Sequence, residues 1–401
     1  MNLSPFFLFA SLICLAVSQP AKAQAIYHTG NSEAVSVNHL PGLVLAGGGS
    51  DNDDAMQWML ERADGGDIVV LRASGADGYN SYFYSELGVD VNSVTTIVIQ
   101  NTSHANNPEV ISIVNNAEVV FIAGGDQWNY INRWRDSALL EALNTLISEK
   151  QITIGGTSAG MSVLGEVVFT AENASVWSSE ALGNPYHWRV KLEKEFLTIP
   201  FMAQTVTDTH YETTQSDGLD RKGRHAVFMA RMVTDWGMTA SGIGVNEYTA
   251  IAVDEFGVAR VFGEANFDDY AFFLQAYGGE PEQCVSGTPL TWNNDERALL
   301  VYKVKGLENG NNWFDINSWR DGSGGEWQFW FVQEGGLHLA GNTPGDANCD
   351  GIINILDVIS LINFYLGFEP ELFCFPNADV NGDGIINSLD VIAIFNIYAS
   401  Q

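Results

Sequence analysis

Ile152-Thr153-Ile154-Gly155-Gly156-Thr157-Ser158-Ala159-Gly160-Met161 decides the fold. A β-branched run leads into it, and a small-residue, helix-compatible run leads out. Between them stands G-x-S-x-G, the pattern of a serine at a sharp strand-to-helix turn, its hydroxyl projecting from the sheet edge. Gly156 and Gly160 flank Ser158 at −2 and +2, where a side chain would collide with neighbouring backbone. The amide of Ala159 is predicted to lie at a helix N-terminus and to face a developing oxyanion. The competing reading is a glycine-rich turn around a buried serine.

Outward from this stretch, strands alternate with helices. Residues 43–46 form a short apolar strand running into Gly47-Gly48-Gly49. Residues 53–63 read as a helix with acids in its first turn, so Asn52-Asp53-Asp54 fits a helix start better than a metal site. Residues 67–71 and 94–100 read as strands, and a helix opens at Asn107-Pro108. Residues 119–123 form a buried strand ending in Gly124-Gly125. Residues 136–150 form the helix before the strand that carries Ser158. This order predicts an α/β fold, a mostly parallel sheet flanked by helices, with ligands at the carboxyl ends of its strands. Residues 24–40 read as an irregular lead-in. Residues 265–342 turn aromatic and strand-like, and are expected to close the same domain.

The chain has 401 residues, 46% of them hydrophobic, and a formal charge of −31. It is globular, and too acidic to bind nucleic acid or an anionic membrane surface. Residues 1–23 read as a secretory signal with an Ala21-Lys22-Ala23 cleavage site. The mature chain, from Gln24, shows no membrane span, and its expected place is extracellular, at the cell surface or in a periplasm. Of the four cysteines, Cys14 would leave with the signal. Cys349 and Cys374, in one small tail module, are the expected disulfide, and Cys284 is left unassigned.

After a linker at residues 341–345, the stretch Asp346-Ala347-Asn348-Cys349-Asp350-Gly351-Ile352-Ile353-Asn354-Ile355-Leu356-Asp357 recurs as residues 379–390. Oxygen ligands stand at loop positions 1, 3, 5, 9 and 12, with glycine at 6, the pattern of an EF-hand-type calcium loop. The predicted ligands are Asp346, Asn348, Asp350, Asn354 and Asp357 in the first loop. In the second they are Asp379, Asn381, Asp383, Asn387 and Asp390. Ile352 and Ile385 would give backbone carbonyls. Two Ca²⁺ would offset four of six carboxylate charges, and an unliganded acidic turn repeat is the alternative. Each loop is followed by one amphipathic helix and has none before it, so residues 346–401 resemble a dockerin, a small all-α module that binds cohesin on a scaffold. The pair of residues at positions 10 and 11, Ile355-Leu356 and Ser388-Leu389, departs from the Ser-Thr pair of the best-known dockerins. A calcium-stabilised spacer is therefore the alternative to cohesin binding.

A serine nucleophile needs a base, and the base an orienting acid. His187, His210, His225 and His338 lie downstream, and the residues alone favour His210 only mildly. Residues 40–265 resemble cyanophycinase and dipeptidase E, serine peptidases on a class I glutamine-amidotransferase-like, flavodoxin-like fold. The resemblance rests on Gly47-Gly48-Gly49, on Phe121-Ile122-Ala123-Gly124-Gly125-Asp126-Gln127, on Gly155 to Gly160, on Asp208-Thr209-His210-Tyr211, and on Gly242-Ile243-Gly244-Val245-Asn246-Glu247-Tyr248-Thr249-Ala250. It implies Ser158 as nucleophile, His210 as base and Glu247 as orienting acid, with Asp208 the competing acid. The oxyanion donors would be the amides of Ala159 and of Gly124 or Gly125. Gln127 would contact substrate, and Asp208, Arg221 and Arg224 are candidate pocket residues, a solvated helix start being the competing reading of the two arginines. An insertion at residues 212–220 separates the arginines from the histidine motif. The implied reaction is metal-free hydrolysis at β-linked aspartyl units of a peptide, Asp–Arg in cyanophycinases. An α/β-hydrolase esterase shares G-x-S-x-G but expects its histidine after its acid. An inactive scaffold-associated binding protein is a further alternative.

Overall fold

The computed structural model describes residues 24–400 apart from 369 and 371, and the expected secretory signal lies outside the described residues. The apolar runs read from the sequence stand at the centre of a ten-stranded sheet. Its spatial order is Ile26–Gly30, Ser93–Val98, Asp67–Arg72, Val119–Ile122, Thr153–Thr157, Gly42–Ala46, Ala250–Val253, Val258–Phe262, Trp313–Asp315, Gly322–Ser323. The five strands from Ser93–Val98 to Gly42–Ala46 run parallel. Antiparallel strands extend them on both sides.

Parallel strands need cover on both faces, and alternate side chains meet different helices. Leu71, Val120 and Ile122 pack with Val114 and Leu143 of the helices Pro108–Asn116 and Ala138–Thr145. Val44, Val70 and Phe121 pack with Met56, Met59 and Leu60 of the helix Asp53–Glu61. Each such fully buried side chain contributes about 1.5–3 kcal/mol against its exposed state.

A second sheet, of eight strands, runs Gly336–Leu339, Gly325–Gln333, Leu299–Lys305, Tyr270–Ala276, Ser241–Val245, Thr205–Asp208, Val167–Phe169, Leu192–Lys194. Here Thr205–Asp208 is parallel to both of its neighbours, and the remaining pairs are antiparallel. The helix Lys222–Trp236 lies in this sheet's core, burying Phe228, Met229 and Met232 with Phe272 and Leu274. The tail has two main helices, Ile355–Tyr365 and Ser388–Ala399, and a Cys349–Cys374 disulfide. Phe375 sets its ring 4.8 Å from that of Trp327.

Three expectations are corrected. Residues 24–40 are not wholly irregular, because Ile26–Gly30 pairs antiparallel with Ser93–Val98. The β-branched and aromatic residues of Ile26-Tyr27-His28-Thr29 carry that tendency, but the run is too short for its period to be read. The helix predicted over 136–150 starts at Ala138, capped by Ser137, and widens into a π-turn at Leu146–Lys150. No α-helix follows Ser158 directly: the chain turns into the short 3₁₀ segment Met161–Val163. Gly160 has helical dihedrals, φ −67° and ψ −39°, and must be glycine because an added Cβ would lie 1.9 Å from the Ile122 carbonyl oxygen.

Candidate active site

Ser158 follows the strand Thr153–Thr157, between the parallel strands Val119–Ile122 and Gly42–Ala46. Its φ is +51°, the left-handed region that non-glycine residues enter at a cost. The flanking glycines are required by contact: a Cβ on Gly156 would come 2.5 Å from the Gly160 carbonyl carbon.

His210 and Glu247 come from the second sheet. Thr205–Asp208 and Ser241–Val245 are adjacent and parallel, with Gly244 opposite Asp208. Each releases its chain at the same edge, so the residues two positions beyond the strand ends, His210 and Glu247, are neighbours. Ser158 Oγ stands 2.8 Å from His210 Nε2, and His210 Nδ1 stands 2.6 Å from Glu247 Oε1. A carboxylate accepting Nδ1–H leaves Nε2 as the acceptor facing the serine hydroxyl.

Three consecutive carbonyls join the two sheets at this point. Ala46 accepts from Ser158 N at 3.0 Å, Gly47 from His210 N at 2.9 Å, and Gly48 from Tyr248 N at 2.8 Å. Gly48 also lies under the imidazole, where a Cβ would be 2.4 Å from His210 Cε1. The role of this hub was missed in the sequence; the glycine run at a strand end was its signal.

Among the described residues, no acceptor takes the amide of Ala159, Gly124 or Gly125. A Cβ on Gly124 would be 3.6 Å from Ser158 Cβ, so that turn abuts the serine. The cleft over Ser158 has a volume of about 540 Å³, and its walls include Gln127, Trp128, Glu172 and Arg221. Gln127 Nε2 donates to the Phe169 carbonyl. Tyr130 and Trp134 are buried packing residues, as their neighbours imply, but Trp128 reaches the cleft.

The other candidate pocket residues differ in availability. Asp208 and Arg224 are each 3% exposed and face one another, with Arg224 Nε and Nη2 donating to Asp208 at 2.8 and 2.6 Å. Burial raises the carboxyl of Asp208, but the Arg224 guanidinium outweighs it and holds the group below its ordinary range. Asp208 thus sits with Arg224, away from the imidazole that Glu247 holds. Arg224 is a buried structural cation, not the solvated helix start that its charge suggests. Arg221 donates Nη1 to the Thr209 carbonyl, its Nε has no acceptor, and burial lowers it to about 10.

The other histidines are placed elsewhere. His225 is buried between Tyr211 Oη and the Val206 carbonyl, and His338 stacks on Phe331. The insertion at residues 212–220 is tied down at its start, since Asn246 Nδ2 donates to Glu212 Oε2 at 2.7 Å.

The two tail loops fold alike. Asp346 accepts from the amides of Asp350 and Gly351, and Asp379 from those of Asp383 and Gly384. Asp357 and Asp390, fully buried, accept from the amides of Asn354 and Asn387. Burial, and then the neighbouring Asp390 and Asp383, push Asp379 up to about 6. Among the described residues no group of three or more His, Cys, Asp or Glu side chains is arranged to hold a metal. The loops' oxygen sets instead combine carboxylates with Asn amides and backbone carbonyls, a hard-donor set that suits calcium.

The sequence model of peptidase family S51 matches residues 72–260, and that of the dockerin type I domain matches residues 344–397. Cyanophycinases from Synechococcus elongatus and Thermosynechococcus vestitus are each 25% identical over 236 residues, 56% of this chain and 66% of theirs. The chain thus spans just under two thirds of the length of these curated relatives. A solved peptidase from an acI-B1 Actinobacterium is 14% identical with a TM-score of 0.45, covering 70% of this chain and 98% of that one. The chain thus carries one region similar to peptidase family S51 and, after it, one similar to the dockerin type I domain.

Proposed function

We propose that this chain is an exported serine peptidase that hydrolyses amide bonds at β-linked aspartyl units, with Asp–Arg as the preferred unit. The observation that carries the reading is the unbroken relay of 2.8 and 2.6 Å from Ser158 through His210 to Glu247. The order serine, histidine, acid along the chain disfavours an α/β-hydrolase.

Ser158 Oγ attacks the scissile carbonyl carbon as its proton passes to His210 Nε2. The oxyanion is held by the Ala159 amide and that of Gly124 or Gly125. Collapse expels the amine, which takes the proton from His210 and leaves an acyl-enzyme. Water, deprotonated by His210, then releases the acid and restores Ser158. Glu247 holds the imidazole in the required tautomer. Gln127 and Arg221 contact substrate, and Arg224 with Asp208 braces the wall behind them.

In the tail, Ca²⁺ would be held in each loop by the side-chain oxygens of positions 1, 3, 5, 9 and 12 and the carbonyl of Ile352 or Ile385. Bound calcium would neutralise carboxylates that have no Lys or Arg in residues 344–401. The module would dock the enzyme, residues 24–340, onto a cohesin-bearing scaffold outside the cell.

The test pairs two readouts. A fluorophosphonate should label the wild type and not Ser158→Ala; equal labelling overturns the nucleophile. Incubation with β-Asp-Arg and its α-linked isomer, with products read by mass, should show cleavage of the β-linked compound. Cleavage of the α-linked isomer alone overturns the substrate.

A further inference from the structure

The cleft over Ser158 holds four charged side chains besides His210: Asp126, Glu172, Arg221 and Arg224. Two are already engaged. Asp126 caps the helix Gln127–Trp134, accepting from Trp128 N and Asn129 Nδ2. Arg224 gives Nε and Nη2 to Asp208 and Nη1 to Ser175 Oγ and the Val176 carbonyl. Arg221 keeps a buried Nε with no acceptor. Glu172 has no ion pair among the described residues. Among the described residues its side chain accepts one hydrogen bond, from Asn173 Nδ2 at 3.3 Å. The cleft therefore presents one unengaged carboxylate beside one under-engaged guanidinium.

The backbone that presents Glu172 is unusual. Ala171 and Ala174 both adopt left-handed conformations, φ +52° and +75°. Alanine has no side-chain hydrogen bond to favour that region, so the loop's shape is imposed from outside. The fasteners are visible: Thr170 N donates to the Lys191 carbonyl, Ala174 N to the Ala171 carbonyl, and Ser175 Oγ accepts from Arg224. The buried Arg224–Asp208 pair thus fixes the far end of the loop, and Glu172 N on Thr170 Oγ1 fixes the near end. Such bracing suits a carboxylate that must hold one position before substrate arrives.

We propose that Glu172 is a specificity-determining residue of the cleft, its carboxylate receiving a guanidinium or ammonium group of the substrate. This rests on the serine-peptidase reading of the same cleft, which it deepens by naming the group that selects the cationic side chain. A carboxylate on a guanidinium forms charge-assisted, often bidentate bonds, whereas a neutral aliphatic side chain offers it nothing.

The experiment compares β-Asp-Arg with β-Asp-Leu. In Ser158→Ala, calorimetry reads binding without turnover, and the cationic dipeptide should bind about 10–100-fold more tightly. Adding Glu172→Gln should remove that preference while leaving β-Asp-Leu affinity unchanged, and Glu172→Lys should shift the preference to β-Asp-Glu. In the active enzyme, Glu172→Gln should raise KM for β-Asp-Arg with kcat little altered. Equal binding of the two dipeptides to Ser158→Ala, or equal weakening of both by Glu172→Gln, overturns the proposal. Fluorophosphonate labelling of Glu172→Gln at the wild-type rate shows that the serine centre is intact, so a failure of Glu172 is distinguishable from a failure of Ser158.

Discussion

The rim around Ser158 and the two tail loops both collect polar groups where secondary structure ends, yet they are completed by different means. At the rim every part is fixed by protein. Backbone carbonyls of Ala46, Gly47 and Gly48 hold three segments, and side chains close the relay from Ser158 to Glu247. In the tail, among the described residues, the loop carboxylates are held by amides of their own loops, and like charges crowd one another. The first is preorganised chemistry and the second, on the proposed reading, a frame for calcium, so the two should respond to opposite perturbations.

The largest expected effect breaks the rim's chemistry alone. Ser158→Ala should lower kcat by about 10⁴–10⁶-fold and leave stability within about 1 kcal/mol, by analogy with triad deletions. Turnover assays with thermal melts check this. A loss under tenfold would mean that another group attacks the substrate.

Next comes the rim's support. Arg224→Met strands the Asp208 carboxylate in a fully buried site, which should cost about 3–5 kcal/mol. The double variant Asp208→Asn with Arg224→Met should recover part of this, measured by urea unfolding. If the single and double variants unfold alike, the pair is not the brace described above.

The tail should respond to chelation and the rim should not. A ligand at about 100 times its Kd stabilises the state that binds it by about 2.7 kcal/mol. Removing calcium with EDTA should lower the melting of the tail by that order and leave the fluorophosphonate labelling of Ser158 unchanged. An unchanged tail transition removes calcium from the loops.

The two regions also differed in how legible they were. The tail's likeness to a dockerin was readable because its pattern is local: twelve residues carry all the proposed ligands, and the stretch occurs twice. At the rim, Ser158 was legible because strand, glycines and turn are local. His210 and Glu247 were reached by motif, since the sheet pairing that makes them neighbours links residues 205–208 to 241–245 and has no local signature. Charge near a helix start suggests a solvated Arg224, and only tertiary packing shows Asp208 across from it. Glu172 carried no signal, because its role depends on which other cleft charges are already engaged.

The smallest effect separates burial from pairing within the rim's support. His225 is fully buried; burial first, and then the adjacent Arg224, hold its pKa below the ordinary 6.5, against the opposing pull of Asp208 and the Val206 carbonyl. The folded chain keeps this imidazole neutral, whereas the unfolded chain protonates it near 6.5. The stability that depends on neutral His225 is therefore complete above pH 6.5 and is lost as pH falls through that value toward the folded pKa. The slope is at most about 1.4 kcal/mol per pH unit. Asp208, with its lowered pKa, contributes stability that is lost only below about pH 4, outside this window. Urea unfolding at pH 7.5 and 5.5 should thus show the wild type losing more stability than His225→Gln, a variant that cannot titrate there. Equal losses in the two proteins would mean that His225 takes up its proton in the folded state, and that the wall behind Arg224 is wetter than its packing implies.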